Sequence, residues 1–213
     1  MLVTQQPVFR KFWHAVMPLT QLASGPQPFR LLGEDIVLFL DERGEPAALR
    51  DRCCHRTARL SKGWCVDAQG QACAQGAIQC GYHGWTYDRG GKVIRIPQFD
   101  AGRTIPEDYR TRAYHCTARY GYAWVALDEP IAPIPEVPEF DAPGWRTIFQ
   151  FYETWATSPM RALENSFDNS HFSFVHRATF GVAAQPKPSK YELVEKEGGF
   201  YRSEEHTSEL QSR

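Results

Sequence analysis

The chain has 213 residues, 42% of them apolar and 23% charged, and a formal net charge of −1. That is long enough for one or two domains and for a core that needs no disulfide staples. No run of Lys or Arg marks a nucleic-acid surface, no apolar run reaches the roughly eighteen residues of a membrane span, and the start, MLVTQQPVFRKFWHAV, lacks the basic end and apolar block of a secretory signal. A location in the cytoplasm is the default.

In chain order, the first third reads as β. Asp35 to Leu40 is a short apolar run, Asp41 to Glu45 is a turn with Gly44 at its tip, and Pro46 to Arg52 returns as the paired strand and delivers Cys53. Ala77 to Cys80 and Trp85 to Asp88 read as short strands around a second loop. Asp88 to Gly91 reads as a hairpin turn, Lys92 to Ile96 as the next strand, and Tyr122 to Leu127 closes the block.

Cys53 with His55, and Cys80 with His83, form a C-x-H pair and a C-x-x-H pair. Two thiolates and two imidazoles are the set a Rieske [2Fe–2S] centre needs, two Cys on one iron and two His on the other. A structural zinc site also takes two Cys and two His, but zinc fingers keep Cys with Cys, unlike this spacing. Gly81 and Gly84 would allow close backbone approach, and main-chain N–H groups there could bond the sulfurs. Cys65, Cys73 and Cys116 read as small buried apolar side chains, and a Cys65–Cys73 disulfide is disfavoured in a reducing compartment.

From Asp128 to Pro143 the composition shifts to five prolines among sixteen residues, an extended connector and the best domain boundary. Arg146 to Thr154 alternates as a strand, and Trp145, Phe149, Phe151, Tyr152 and Trp155 read as core aromatics. Ser158 and Pro159 make a helix start. Met160, Leu163, Phe167, His171 and Phe174 then recur at helical spacing, an apolar stripe that would turn His171 inward with Asp168 one turn before it. His176 lies five residues beyond His171, about 140° around an ideal helix. The two imidazoles can meet only if the helix ends between them or widens, as in a π-bulge.

The residues around both pairs carry a resemblance. Arg56, Leu60, Ser61 and Gly63 follow the first pair, and Gly84, Trp85, Tyr87, Asp88 and Gly91 follow the second. From Phe12 to Leu127 the chain resembles the Rieske domain of the Rieske non-haem iron oxygenase alpha subunits. ENSFDNSHFSFVH is similar to the D-x-x-H-x-x-x-x-H pattern of the same family's catalytic domain. Where the family usually has Pro between the first Cys and His, this chain has Cys54, and VDAQGQACAQGA is a polar insertion between the pairs.

The resemblance implies an α+β chain. An all-β Rieske domain (1–127) and a linker (128–143) would lead into the first part of a catalytic domain (144–201). It implies a [2Fe–2S] cluster on Cys53, His55, Cys80 and His83, and a mononuclear non-haem Fe(II) on His171 and His176. The third, carboxylate ligand would lie downstream; Glu192, Glu195 and Glu197 fit no motif. Asp168 would couple electron transfer between His171 and the His83 of the partner subunit in a homotrimer; Asn165 is a weaker candidate. A ferredoxin or flavin reductase would supply electrons, and O2 and a small organic substrate would react. A Rieske electron carrier with no catalysis of its own is the rival reading, opposed by the linker and the second motif.

Arg202 to Ser212, RSEEHTSELQS, matches the translation of a common short-read sequencing adapter. The segment 202–213, with His206, is therefore expected to be an artefact that carries no function.

Overall fold

The computed structural model describes residues 5–149, 152–188, 190–196 and 199–204. Strand Glu34–Leu40 (EDIVLFL) shows how the first part is built, because both of its faces are buried. Successive strand side chains point to opposite faces. Ile36, Leu38 and Leu40 therefore enter one apolar cluster with Val16, Leu22, Tyr114 and Val125, while Val37 and Phe39 enter another. A strand covered on both sides reads as an unbroken apolar run.

The strands of this part are β1 (His14–Pro18), β2 (Gln27–Leu31), β3 (Glu34–Leu40), β4 (Pro46–Arg50), β5 (Trp64–Val66), β6 (Ala72–Cys73), β7 (Ala77–Gln79), β8 (Thr86–Tyr87), β9 (Val93–Arg95), β10 (Ala113–Arg119) and β11 (Tyr122–Ala126), with a one-turn helix, α1 (Leu19–Leu22), directly after β1. One sheet of six runs β1-β11-β10-β4-β3-β2, and one of five runs β6-β5-β7-β8-β9. All neighbouring strands in these two sheets are antiparallel. The second apolar cluster joins the sheets, since Val37, Phe39, Ala47 and Leu49 pack with Cys65, Ile78, Tyr87 and Val93. A buried carboxylate pins the same junction. Asp41 accepts the N–H groups of Arg43 and Glu45 in the β3–β4 turn, and Arg89 of the β8–β9 turn donates to it at 2.6 Å.

The chain divides into two compact units, Met1–Glu153 and Thr154–Arg213. The Pro-rich 128–143 stretch is free of helix and strand and stays with the first unit. Asp128 N–H donates to the Arg10 carbonyl, and Tyr120 Oη donates to the Pro135 carbonyl. Two expectations fail here. The described residues of 146–154 form no strand, because alternation alone does not provide a neighbouring strand to bond with. Trp145, Phe149, Tyr152 and Trp155 are exposed rather than core; Phe151 lies outside the described residues.

In the second unit, helix α2 (Pro159–Phe167) starts as expected, with Ser158 Oγ accepting the Arg161 N–H at 3.3 Å. It ends before Asp168. A one-turn helix, α3 (Phe172–Val175), then has His171 and His176 as its two caps. The helix thus breaks ahead of His171, and no π-bulge forms. Met160, Leu163, Phe167 and Phe174 are exposed, so the stripe faces no core within this unit. β12 (Tyr191–Lys196) and β13 (Gly199–Glu204) form a hairpin. Arg202 on β13 donates to the Phe167 carbonyl at 2.6 Å and covers the Tyr191 ring. Glu197 and His206 lie outside the described residues.

Candidate metal centres

The two Cys/His loops share one backbone design. Cys53 N–H donates to the Ala58 carbonyl and Thr57 N–H back to the Cys53 carbonyl; Cys80 N–H donates to Trp85 and Gly84 N–H back to Cys80. In both loops the residue four after the cysteine takes the left-handed region, Gly84 at φ +75° and Thr57 at φ +57°. Glycine adopts that region freely, whereas a β-branched threonine is strained there by roughly 1 kcal/mol or more. The turn directs two main-chain N–H groups at each sulfur, those of His55 and Arg56 at Cys53 and those of Tyr82 and His83 at Cys80.

A glycine locks the loops together. A Cβ on Gly63 would lie 1.8 Å from the Gln79 carbonyl oxygen, so only hydrogen fits between the end of the first loop and the start of the second. Asp51, buried just before Cys53, accepts both the N–H and the hydroxyl of Ser61 at 2.7 Å. Ser61 and Gly63 appear in the sequence motif, and these contacts give the physical reason.

This framework brings all four expected donors together. Cys53 and Cys80 are both buried. The His55 and His83 ring centroids lie 4.7 Å apart, and His55 stacks on Trp85 at 4.4 Å, which stacks in turn on Tyr109. Tyr87 Oη accepts the Cys54 N–H at 3.0 Å and donates its own proton to Cys53 Sγ at 3.0 Å. The Cys53 thiol is pushed down, first by the hydrogen bond from Cys80 and, against burial, by that from Tyr87. Cys80 is raised because its hydrogen bond to Cys53 holds the proton and burial disfavours a second anion. Cys54, which takes the place of the usual proline, is exposed. Sequence reasoning gave no role to Asp51, Trp85 or Tyr87, although the last two stand in the motif.

The residues fit a two-iron cluster. Cys53 and Cys80 form one donor pair and His55 and His83 another, and the buried His55 Nδ1 has no hydrogen-bond partner. Among the described residues no three His, Cys, Asp or Glu side chains converge as around one ion. A cluster in which each iron takes only two protein ligands does not require that convergence.

The second set is smaller. The His171 and His176 rings lie 5.3 Å apart, and His176 stacks on Phe180 at 4.6 Å. Gly181 N–H closes the turn onto the His176 carbonyl, where a Cβ would meet the Phe172 carbonyl at 2.0 Å. His171 Nδ1 donates to Asp168 Oδ2 at 3.2 Å, since a carboxylate only accepts. That bond leaves Nε2 as the nitrogen free to ligate. Asp168 is held below the usual carboxylate range, chiefly by the Ser170 N–H. The set offers two of the three donors of a two-His-one-carboxylate iron. Glu192 and Glu195 sit exposed on β12, and Asn165 lies in the last turn of α2. The Asn169 amide, which sequence reasoning passed over, is buried without a partner.

Two cysteine–histidine loops of matching turn geometry, set on antiparallel sheets, define a Rieske-type cluster domain. Residues 12–114 match the Rieske [2Fe-2S] domain, and residues 155–210 match the vanillate O-demethylase oxygenase C-terminal domain. The chain belongs to the Rieske non-haem iron oxygenases, whose members carry a [2Fe–2S] cluster and a mononuclear non-haem iron. It is 34% identical to the methylxanthine N1-demethylase NdmA of Pseudomonas putida over 184 residues, covering 82% of this chain and 49% of that protein. The 5,5'-dehydrodivanillate O-demethylase oxygenase subunit of Sphingobium is 29% identical, over 79% of this chain and 39% of its own length. In structure the chain matches NdmA with a TM-score of 0.79 at 30% identity (95% of this chain, 61% of that one). It matches dicamba monooxygenase bound to dicamba with 0.77 at 26% identity (91% and 56%). The chain spans about half the length of the curated relatives it matches first. No described helix is long and apolar enough to cross a membrane.

Proposed function

We propose that the chain supplies the cluster domain and the two-histidine segment of a cytoplasmic Rieske-type oxygenase that hydroxylates or demethylates a small organic substrate. Cys53 and Cys80 would hold one iron of the cluster, His55 and His83 the other, and His171 and His176 the mononuclear Fe(II). When bound, these groups supply one-electron transfer and the activation of O2. The observation that carries the reading is the pair of matched loops, each aiming two N–H groups at a cysteine sulfur, with His55 Nδ1 left unpartnered.

The chain's own groups tune and orient. The four N–H groups and Tyr87 Oη stabilise negative charge at the sulfurs, and Trp85 fixes the His55 ring. Asp168 sets the tautomer of His171. In a head-to-tail homotrimer it would also reach the His83 of the partner subunit, linking the centres. A ferredoxin or flavin reductase would be the electron source. The demethylase relatives favour removal of an N- or O-methyl group.

Counting iron and acid-labile sulfide in purified protein tests the reading. Three irons for every two sulfides are expected. Equal numbers, with no iron on His171 and His176, would support the rival electron carrier. Asp168→Asn should keep both counts and slow transfer between the centres; unchanged single-turnover rates would remove its relay role.

A further inference from the structure

Four arginines gather beside the first cluster loop. Arg50, Arg52, Arg110 and Arg112 line one open groove of about 260 Å³ that also reaches Cys53 and Cys54. The backbone enforces the gathering, because Arg50 N–H donates to the Arg112 carbonyl at 2.8 Å and Thr111 Oγ1 to the Arg52 carbonyl at 2.9 Å. All four are exposed. Among the described residues only Arg112 has a carboxylate partner, Asp128 at 2.7 Å. Asp108 acts on the Cys54 thiol but pairs with none of them.

The chain carries 24 basic and 25 acidic residues, so this is a local concentration of charge and not a general excess. Folding gains nothing from like charges on one groove, whereas an approaching anionic surface gains attraction and a faster encounter. The groove also leads to Cys53, which is otherwise buried.

We propose that this groove is the docking surface for the acidic face of the protein that reduces the cluster, a one-electron carrier with carboxylates around its own redox centre. This rests on the cluster reading above. The carrier gives up one electron and the Cys53/His55/Cys80/His83 centre gains it, with no bond made or broken. A small inorganic anion would fit the same arginines, and the test separates the two.

Cluster-loaded protein is titrated with an acidic plant-type [2Fe–2S] ferredoxin at low and moderate salt. Its affinity is compared with that of the Arg52→Glu/Arg110→Glu double variant and of Arg43→Glu, an equally exposed arginine in the β3–β4 turn outside the groove. The double variant should bind at least about tenfold more weakly, with a shallower salt dependence, while Arg43→Glu stays within about twofold. The visible spectrum should be the same in all three. The proposal is overturned if the parent shows no saturable binding, if the double variant binds as tightly, or if Arg43→Glu weakens binding equally. It is also overturned if pyrophosphate occupies the groove while ferredoxin binding survives the double reversal. Failure of the cluster reading itself looks different: the protein is then colourless and free of sulfide before any ferredoxin is added.

Discussion

Both units present histidines as candidate ligands, but on different supports. In the first, the loops are tied at each end by main-chain bonds, separated by a glycine that admits no Cβ, and backed by buried residues from two sheets. In the second, His171 and His176 cap a single turn between a helix with no buried residue and a loop closed by Gly181. The first unit contains everything needed to hold four donors in place. The second positions two donors mainly through local hydrogen bonds. Changes in the first unit should therefore act on folding and cluster together, and changes in the second on its own metal alone.

The largest effect expected is from Gly63→Ala. With a Cβ 1.8 Å from the Gln79 carbonyl oxygen, the two loops must separate. The cost should be about 3 kcal/mol or more, with loss of bound iron and sulfide. Denaturant unfolding and iron analysis check it, and normal loading would show that the loops are not interlocked. Asp51→Ala should come next, at about 3 kcal/mol, because it strands the Ser61 N–H and removes the anchor of the first loop. A smaller but more local change is expected from Tyr87→Phe, which removes one hydrogen bond to Cys53 Sγ. The cluster potential should fall by roughly 40 mV, the equivalent of about 1 kcal/mol for one electron, and stability by about 1 kcal/mol because the Cys54 N–H loses its acceptor. An unchanged potential would mean that the Tyr87 proton points elsewhere.

The smallest effect should come from Asp128→Asn on the linker. Arg10 holds the Asp128 carboxyl below its ordinary range. Because the folded value is depressed, its stabilisation is present above the unfolded value near pH 4 and is lost as pH falls through the lower, folded value. The parent should exceed the variant by at most about 1 kcal/mol at pH 7, and the two should converge in acid. A constant difference down to pH 2 would mean that packing, not charge, is responsible.

Much of the first unit was legible because its signals are local. The apolar run of β3, the glycine turns after it and after Tyr87, and the Cys/His spacing each point to one conformation. Thr57 was not legible, since nothing in a threonine announces a left-handed backbone; the matching turn with Gly84 appears only when the loops are compared. The false strand over 146–154 and the exposed stripe on α2 share a cause. Periodicity shows which face is apolar, but not whether another element covers it. The break before His171 did have a signal in Asp168-Asn169-Ser170, three residues that compete with helix bonding. Asp168 does so by accepting the Ser170 N–H.

The central claim is that Cys53 and Cys80 hold one iron and His55 and His83 the other. The midpoint potential of the purified, cluster-loaded protein tests it most directly. Imidazole ligation predicts a value between about −150 and +300 mV, falling toward the all-thiolate range in His83→Cys. A parent value near −400 mV, or no change in the variant, would contradict it.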